Sequence, residues 1–397
     1  MDLILEKLKS IVGSGFWKKT SSENLKYFND INNYQNGLPS IILLPKSSIE
    51  ISQILEICNN YKLPVSIQGG MTGLVQGAVP FNDEIVISLE KMNSIVDFDK
   101  TSLNAIVQSG VSLDNFQNFL DEKNLFFPLD LGSKGSCSIG GNLSTNAGGT
   151  RVIKYGMIRS LTLGLEVVLA DGTIISNLNG LLKDNAGYDL KHLFIGSEGT
   201  LGVITQSALK LFPKPKSQNV AFCGLNKFSN VIQLLLKSKF ELGDSLSAFE
   251  VLWNSTYKKI ITSLKINAPL TMDYNYYVLL ETMGYKPELD NEWFKEILNH
   301  FLEDGLILDA IVSSSESDVN KIWSVRENSS TAFRKIPKRM NFDVSINLND
   351  MEAFTTKLNQ RLLNEKEVDE ILFFGHLGDN NLHAVVICND YSEKIKN

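Results

Sequence analysis

The spacing of apolar residues changes period along the chain. Residues 1–35 begin with a helical pattern in "MDLILEKLKS" and pass into a polar, asparagine-rich stretch that ends at Gly37 and Pro39. From Ile41 apolar runs alternate with helical patterns. "IILLP" predicts a strand, "SSIEISQILEICNNYK" a helix, and "PVSIQGG" a strand that runs into glycine. "EIVISL" and "NAIVQSG" predict further strands, and a helix is expected near 112–124. "LTLGLEVVLADGTIIS" predicts a hairpin, because Asp171 and Gly172 sit between two β-rich runs. Two prolines in "LFPKPK" interrupt the pattern and suggest a domain boundary near 215. Beyond it, "SAFEVLW", "YYVLLET", "LILDAIV" and "FDVSI" alternate with helical stretches, an order expected of helices covering one face of an antiparallel sheet.

The last patterned segment is "GHLGDNNLH", Gly375 to His383. Apolar runs flank it on both sides, and Gly378, Asp379, Asn380 and Asn381 are turn formers, so a hairpin is predicted. Pairing of its strands would bring His376 and His383 to one rim, as a metal requires. A catalytic zinc takes three protein ligands, so a third must come from elsewhere.

Glycine density singles out a second region. Seven of the chain's 28 glycines fall between Gly132 and Gly156, interleaved with Ser133, Ser136, Ser138, Asn142, Ser144, Thr145, Asn146 and Thr150. Bare backbone with many small donors suits the close approach of a pyrophosphate. "QGGMTG" after a predicted strand offers another such turn. Neither stretch fits the dinucleotide fingerprint or the phosphate loop that ends in Gly-Lys-Ser/Thr, so a dinucleotide held in a non-Rossmann manner is expected.

Composition narrows the remaining choices. A chain of 397 residues has room for more than one domain. A net charge of −7 argues against nucleic acid as a partner. Cys58, Cys137, Cys223 and Cys388 are far apart and suggest neither a disulfide framework nor a thiolate metal site. No apolar run reaches the length of a membrane span, and the first residues lack a signal-peptide core, so a cytoplasmic protein is expected.

Four segments, "IQGGMTGLVQGAVP", "FPLDLGSKGSCSIGGNLSTNAGG", "LKDNAGYDLKHLFIGSEGTLGVIT" and "GHLGDNNLH", together resemble the FAD-linked 2-hydroxyacid dehydrogenases of the vanillyl-alcohol-oxidase superfamily. The resemblance implies an α+β protein: an amino-terminal helical segment (1–35), a two-subdomain FAD-binding module (36–215), and a substrate or cap domain (216–397) with an antiparallel sheet and covering helices, truncated at its carboxyl-terminal end. FAD would be held by Gly69, Gly70, Thr72, Gly73, Gly140, Gly141, Asn142, Ser144, Asn146, Gly149, Glu198, Gly199 and Gly202. Met71 stands where some relatives attach the flavin through histidine, so non-covalent FAD is implied. Arg326 in "WSVREN" matches the arginine that holds a substrate carboxylate, with Ser330 and Asn341 as further substrate residues. His376 and His383 match the ligands of zinc or a similar divalent metal.

The implied reaction oxidises a D-2-hydroxyacid, with D-2-hydroxyglutarate as the best guess, by hydride transfer to flavin. An electron-transfer flavoprotein or a quinone-linked acceptor would then take the electrons, and a homodimer is compatible with the family. Departures from the pattern qualify this. Asn341 replaces a lysine, Asn347 replaces a proline, and Val385 replaces an asparagine. The family's third metal ligand and its catalytic base lie in an acid-His-Gly segment without a counterpart here, and the only acids after His383 are Asp390 and Glu393. No catalytic base is therefore assigned. The alternatives are a D-lactate or glycolate dehydrogenase, or a flavin-binding protein with little turnover.

Overall fold

Caps and apolar faces written in the sequence start the first helices. Ser47 accepts a hydrogen bond from the Glu50 amide at the head of the helix Ser48–Asn60, and Ser112 accepts from Asn115 at the head of Leu113–Asp121. Ile51 and Ile54 on the first of these pack with Leu8 and Val12 from the helix Asp2–Val12. The computed structural model describes residues 2–31, 33–334, 336 and 338–389. Asp390 and Glu393 lie outside the described residues. The chain divides into two units, Met1–Gly149 with Gly156–Lys214, and Thr150–Tyr155 with Pro215–Asn397.

Among the described residues, the first unit holds a four-stranded sheet and a five-stranded sheet. In the smaller sheet, Ile41–Leu43, Ile85–Ser88 and Val65–Gln68 run parallel, and Trp17–Lys18 pairs antiparallel with Ile41–Leu43 at one edge. The five-stranded sheet is antiparallel and includes the hairpin Thr162–Val168 and Ile174–Asn177. Its turn contains Gly172 at φ 88°, a left-handed conformation that suits glycine, and Asp171 Oδ1 accepts from the Thr173 amide.

The second unit is built on a seven-stranded antiparallel sheet of described residues. Its order is Asp309–Val312, Ser217–Leu225, Tyr276–Gly284, Leu246–Trp253, Val368–Gly375, Asn381–Cys388 and Arg339–Ser345. Helices cover both faces of this sheet, a correction to the one-sided arrangement expected from element order. Phe228–Leu242, Pro287–Glu303 and Leu348–Leu362 pack with one set of strand residues, including Val251, Val278 and Phe373. Asn254–Leu264, Glu316–Glu327 and Ser329–Arg334 pack with the alternate set, including Leu252, Leu279 and Leu372. The physical reason is visible in the strands themselves. Their apolar runs are continuous, so both faces need cover.

Two charges interrupt these runs, and both are fully buried on the face that meets the helix Glu316–Glu327. Glu281 accepts from Arg151 Nε (3.0 Å) and Ser247 Oγ (2.7 Å) through Oε1, and from Gln218 Nε2 (2.6 Å) and Trp323 Nε1 (2.9 Å) through Oε2. Burial alone would raise its pKa, but the Arg151 charge and these donors outweigh it and hold the carboxyl below its ordinary value. The Glu281 carboxylate thereby ties the segment Thr150–Tyr155 to the sheet of its own unit. Replacing Glu281 with alanine leaves several buried donors unpaired. The expected cost is about 3–5 kcal/mol of stability, read from the shift of the urea unfolding transition of this unit.

Candidate functional site

Two groups of predicted residues come together, one within each unit. In the first unit, the parallel strand Val65–Gln68 delivers Gly69 and Gly70 against the segment 136–141. A Cβ on Gly70 would lie 2.0 Å from the Ser136 carbonyl oxygen, and one on Gly69 would lie 2.4 Å from Ser138 Oγ. The helix Ile139–Ser144 starts here, its first turn closed by the bond from the Gly141 amide to Ser138 Oγ. Gly140 packs on Ser109 so closely that a Cβ would fall 2.4 Å from the serine Cβ. The Glu198 amide donates to the Ser144 carbonyl (2.9 Å), and Glu198 Oε2 would stand 2.9 Å from a Cβ on Gly77. The "QGGMTG" turn, the glycine-rich stretch and the "GSEG" segment thus converge.

The backbone at this junction is strained in the same places. Met71, Asn146 and Glu198, none of them glycine, hold φ values of 54°, 48° and 53°. Gln68 Oε1, Asn146 Oδ1 and Ser197 Oγ are buried without a hydrogen-bond partner. The orphaned carbonyl oxygens can accept from the hydroxyl and N–H donors of a group such as FAD, and the Ser197 hydroxyl and bare main-chain amides can donate to its phosphates. Other predicted cofactor residues have different surroundings. Gly202 packs against Val167 and Val168, and Gly149 packs against the Asp130 backbone. Asn142 is buried with its amide against Cys137 Sγ. Gly73 meets nothing within 4 Å, Gly199 is left-handed at φ 78°, and Thr72 is partly exposed.

In the second unit, strand register builds the other group. Val251 pairs with Gly375, so Glu250 comes beside His376 just past the strand end. Phe374 pairs with His383, and His383 pairs with Asp343 on the edge strand. The two imidazoles meet edge to face with centroids 5.2 Å apart. The helix Glu316–Glu327 brings in Arg326, whose Nε donates to Glu250 Oε2 (2.6 Å) and whose guanidinium lies 4.9 Å from the Phe374 ring centre. His376 Nδ1 bonds to Glu250 Oε1, and Arg326 Nη2 lies 3.3 Å from His376 Nε2. Glu250, Arg326 and His376 therefore close a ring of three contacts.

Burial would raise the Glu250 pKa, but the Arg326 charge and the hydrogen bonds from His376 and Arg326 hold it below its ordinary value. Burial lowers the His383 pKa, against the opposing pull of Asp343 Oδ2 at 3.4 Å from its Nδ1. Asp379 in the hairpin turn is pushed up to about 6 by burial.

Ser329, and not Ser330, meets the arginine: it is buried with its Oγ 3.3 Å from Nη1, whereas Ser330 is exposed. Asn341 is exposed on the edge strand and pairs directly with Val385. The two places where family polar groups are replaced are thus cross-strand neighbours. Among the described residues there is no group of three His, Cys, Asp or Glu side chains able to hold a metal. His376 and His383 are adjacent, but a guanidinium faces Nε2 of the first, and these residues do not fit a three-ligand metal centre. Glu250, Asp343 and Ser329 were not singled out by the sequence. A lone acid inside the apolar strand "SAFEVLW" is the signal that points to Glu250.

Comparison with known proteins assigns a family domain to each unit. Residues 39–177 match an FAD binding domain and residues 214–397 match the C-terminal domain of FAD linked oxidases. The fold is shared with alkyldihydroxyacetonephosphate synthase at a TM-score of 0.77 and 16% identity, over 100% of this chain and 82% of that one. A probable mitochondrial D-2-hydroxyglutarate dehydrogenase of Oryza sativa subsp. indica is 42% identical over 361 residues, 90% of this chain. This chain spans 64% of that protein's length. A putative mitochondrial D-lactate dehydrogenase of Schizosaccharomyces pombe is 38% identical over 99% of this chain and 78% of its own. These matches define an FAD-linked oxidoreductase fold. The chain belongs to the same family as these FAD-linked 2-hydroxyacid dehydrogenases. Both relatives carry "mitochondrial" in their names, a different compartment from the cytoplasm expected of this sequence. No helix of the described residues is long and apolar enough to cross a membrane.

The glycine geometry separates ligand contact from folding. Gly140→Ala is expected to lower the melting temperature of the apoprotein, because its Cβ collides with Ser109. At Gly141 the nearest atom to a Cβ is Ser138 Oγ at 3.2 Å, so Gly141→Ala should leave that temperature nearly unchanged. FAD titration followed by flavin fluorescence should nonetheless show affinity at least tenfold weaker for Gly141→Ala.

Proposed function

We propose that this chain carries the flavin-binding and carboxylate-binding parts of a D-2-hydroxyacid dehydrogenase, with D-2-hydroxyglutarate as the best candidate substrate. The observation that carries the reading is the buried, fixed guanidinium of Arg326 beside two imidazoles. A buried arginine with its carboxylate partner already in place is pre-organised, so an incoming carboxylate meets donors that need no reorientation. The named relatives, which include D-2-hydroxyglutarate and D-lactate dehydrogenases, support the same chemistry.

FAD, when bound, supplies a two-electron acceptor for the hydride at C2 of the substrate. Gly69, Gly70, Gly141, Asn146 and Glu198 would hold it non-covalently, since the thioether of Met71 offers no attachment point. Arg326 orients the substrate carboxylate, and Ser329 and Glu250 keep the guanidinium in its plane. His383 stands on the same face of the sheet as Arg326, where it can hydrogen-bond a hydroxyl. No step is assigned to a metal. Two imidazoles give zinc at most a weak, dialysable site. An electron-transfer flavoprotein or a quinone-linked acceptor would reoxidise the flavin.

A second reading is favoured by one feature. The cross-strand pair Asn341 and Val385 provides no cation for a second carboxylate, which suits a monocarboxylate such as D-lactate or glycolate.

Anaerobic mixing with D-2-hydroxyacids should bleach the flavin absorbance, whereas L-isomers should not. Arg326→Gln should weaken binding of the D-isomer about 10- to 100-fold, the loss of a charge-assisted hydrogen bond of about 1.5–3 kcal/mol. Asn341→Lys should lower the apparent KM for hydroxyglutarate and leave that for lactate unchanged. Bleaching by L-isomers at equal rates would remove the reading, and an unmoved KM for the diacid would favour the monocarboxylate. Equilibrium dialysis against zinc should find less than one tightly held ion per chain, and chelator should leave FAD content unchanged.

A further inference from the structure

In the ring of Glu250, Arg326 and His376, one residue meets both of the others through separate oxygens, Glu250. Glu250 is fully buried on the strand Leu246–Trp253, far from solvent that could satisfy it. Its two oxygens face two different N–H donors, Arg326 Nε at 2.6 Å and His376 Nδ1. We propose that Glu250 is the positioning residue of this site: a single carboxylate that fixes the plane of the substrate-binding arginine and the tautomer of His376 together. The proposal rests on the D-2-hydroxyacid reading for its substrate, although the geometry of the ring stands without it.

Two N–H donors facing one side chain call for two acceptor oxygens. A carboxylate has an acceptor oxygen for each donor. A glutamine of the same shape has one oxygen and one NH₂, so one of the two facing N–H groups would meet another donor. With Nδ1–H given to Glu250, His376 presents Nε2 as a lone pair, and the Arg326 Nη2 donor at 3.3 Å requires that state. The same hydrogen-bonding logic orients histidines in catalytic and metal sites through a carboxylate behind the ring. On the arginine, Glu250 takes Nε–H, Ser329 meets Nη1 and His376 meets Nη2. Three of the five guanidinium N–H groups are thereby engaged, and among the described residues two are left for a ligand carboxylate. Without Glu250 the guanidinium would lose its nearest anchor, and the imidazole would lose the bond that selects its tautomer.

The test uses the full FAD-loaded chain and Glu250→Gln, with oxalate as an unreactive carboxylate probe. Two quantities are read: the oxalate dissociation constant from flavin difference spectra or calorimetry, and the His376 ring state from ¹⁵N NMR of histidine-labelled protein, assigned with His376→Asn. In the wild type, His376 should show Nδ1 protonated and Nε2 bare. Glu250→Gln should weaken oxalate at least tenfold and convert His376 to the other tautomer or a mixture, while FAD content stays unchanged. Where Glu250→Gln fails to fold, Glu250→Asp carries the test, since its shorter carboxylate keeps the charge but cannot span both donors; the same two losses are expected. Wild-type oxalate affinity together with a wild-type His376 tautomer in either folded variant overturns the proposal. A wild-type chain that binds no oxalate and is not reduced by any 2-hydroxyacid removes the functional reading instead, and the tautomer measurement then still decides the role of Glu250.

Discussion

Burying a carboxylate is costly unless its oxygens are fully occupied, and the second unit meets that condition twice in neighbouring strands. Glu250 and Glu281 lie on one face of the sheet, and the helix above them answers each with a donor one turn apart, Arg326 and Trp323. A helix held only by apolar contacts could slide along the sheet at small cost. One held by two buried carboxylates cannot move without stranding a charge. The position of Arg326, and with it any carboxylate site, follows from this constraint.

Backbone proximity takes the corresponding part in the first unit. Gly69, Gly70 and Gly140 let three chain segments approach to distances that a methyl group would block. Left-handed conformations at Met71, Asn146 and Glu198 add strain that the surrounding packing must hold. The result is a junction of closely packed main chain, where Gln68 Oε1 and Asn146 Oδ1 are buried without hydrogen-bond partners.

Two of the departures from the family pattern are neighbours in the sheet. Asn341 and Val385 face each other across the edge pair Arg339–Ser345 and Asn381–Cys388. Neither Asn341 nor Val385 carries a charge, whereas Arg326 is held in place beside Glu250.

Local signals in the sequence were enough for several features. Glycine density located segments that pack closer than a side chain allows, because only glycine permits such close backbone approach. The turn residues of "ADGT" and "GHLGDNNLH" located two hairpins, because they satisfy turn geometry within a few residues. Cross-chain relations were not legible. Glu250 and His376 are 126 residues apart, and only the register of Val251 with Gly375 brings them together. Ser329 and Ser330 are indistinguishable as letters, and helix phase alone decides which one reaches Arg326. Coverage of both sheet faces was implied by unbroken apolar strands, yet element order suggested one face, and burial settled it. Sequence determined the pieces whose physics is local; tertiary structure decided which charge meets which, because that depends on strand register and helix phase summed over the whole unit.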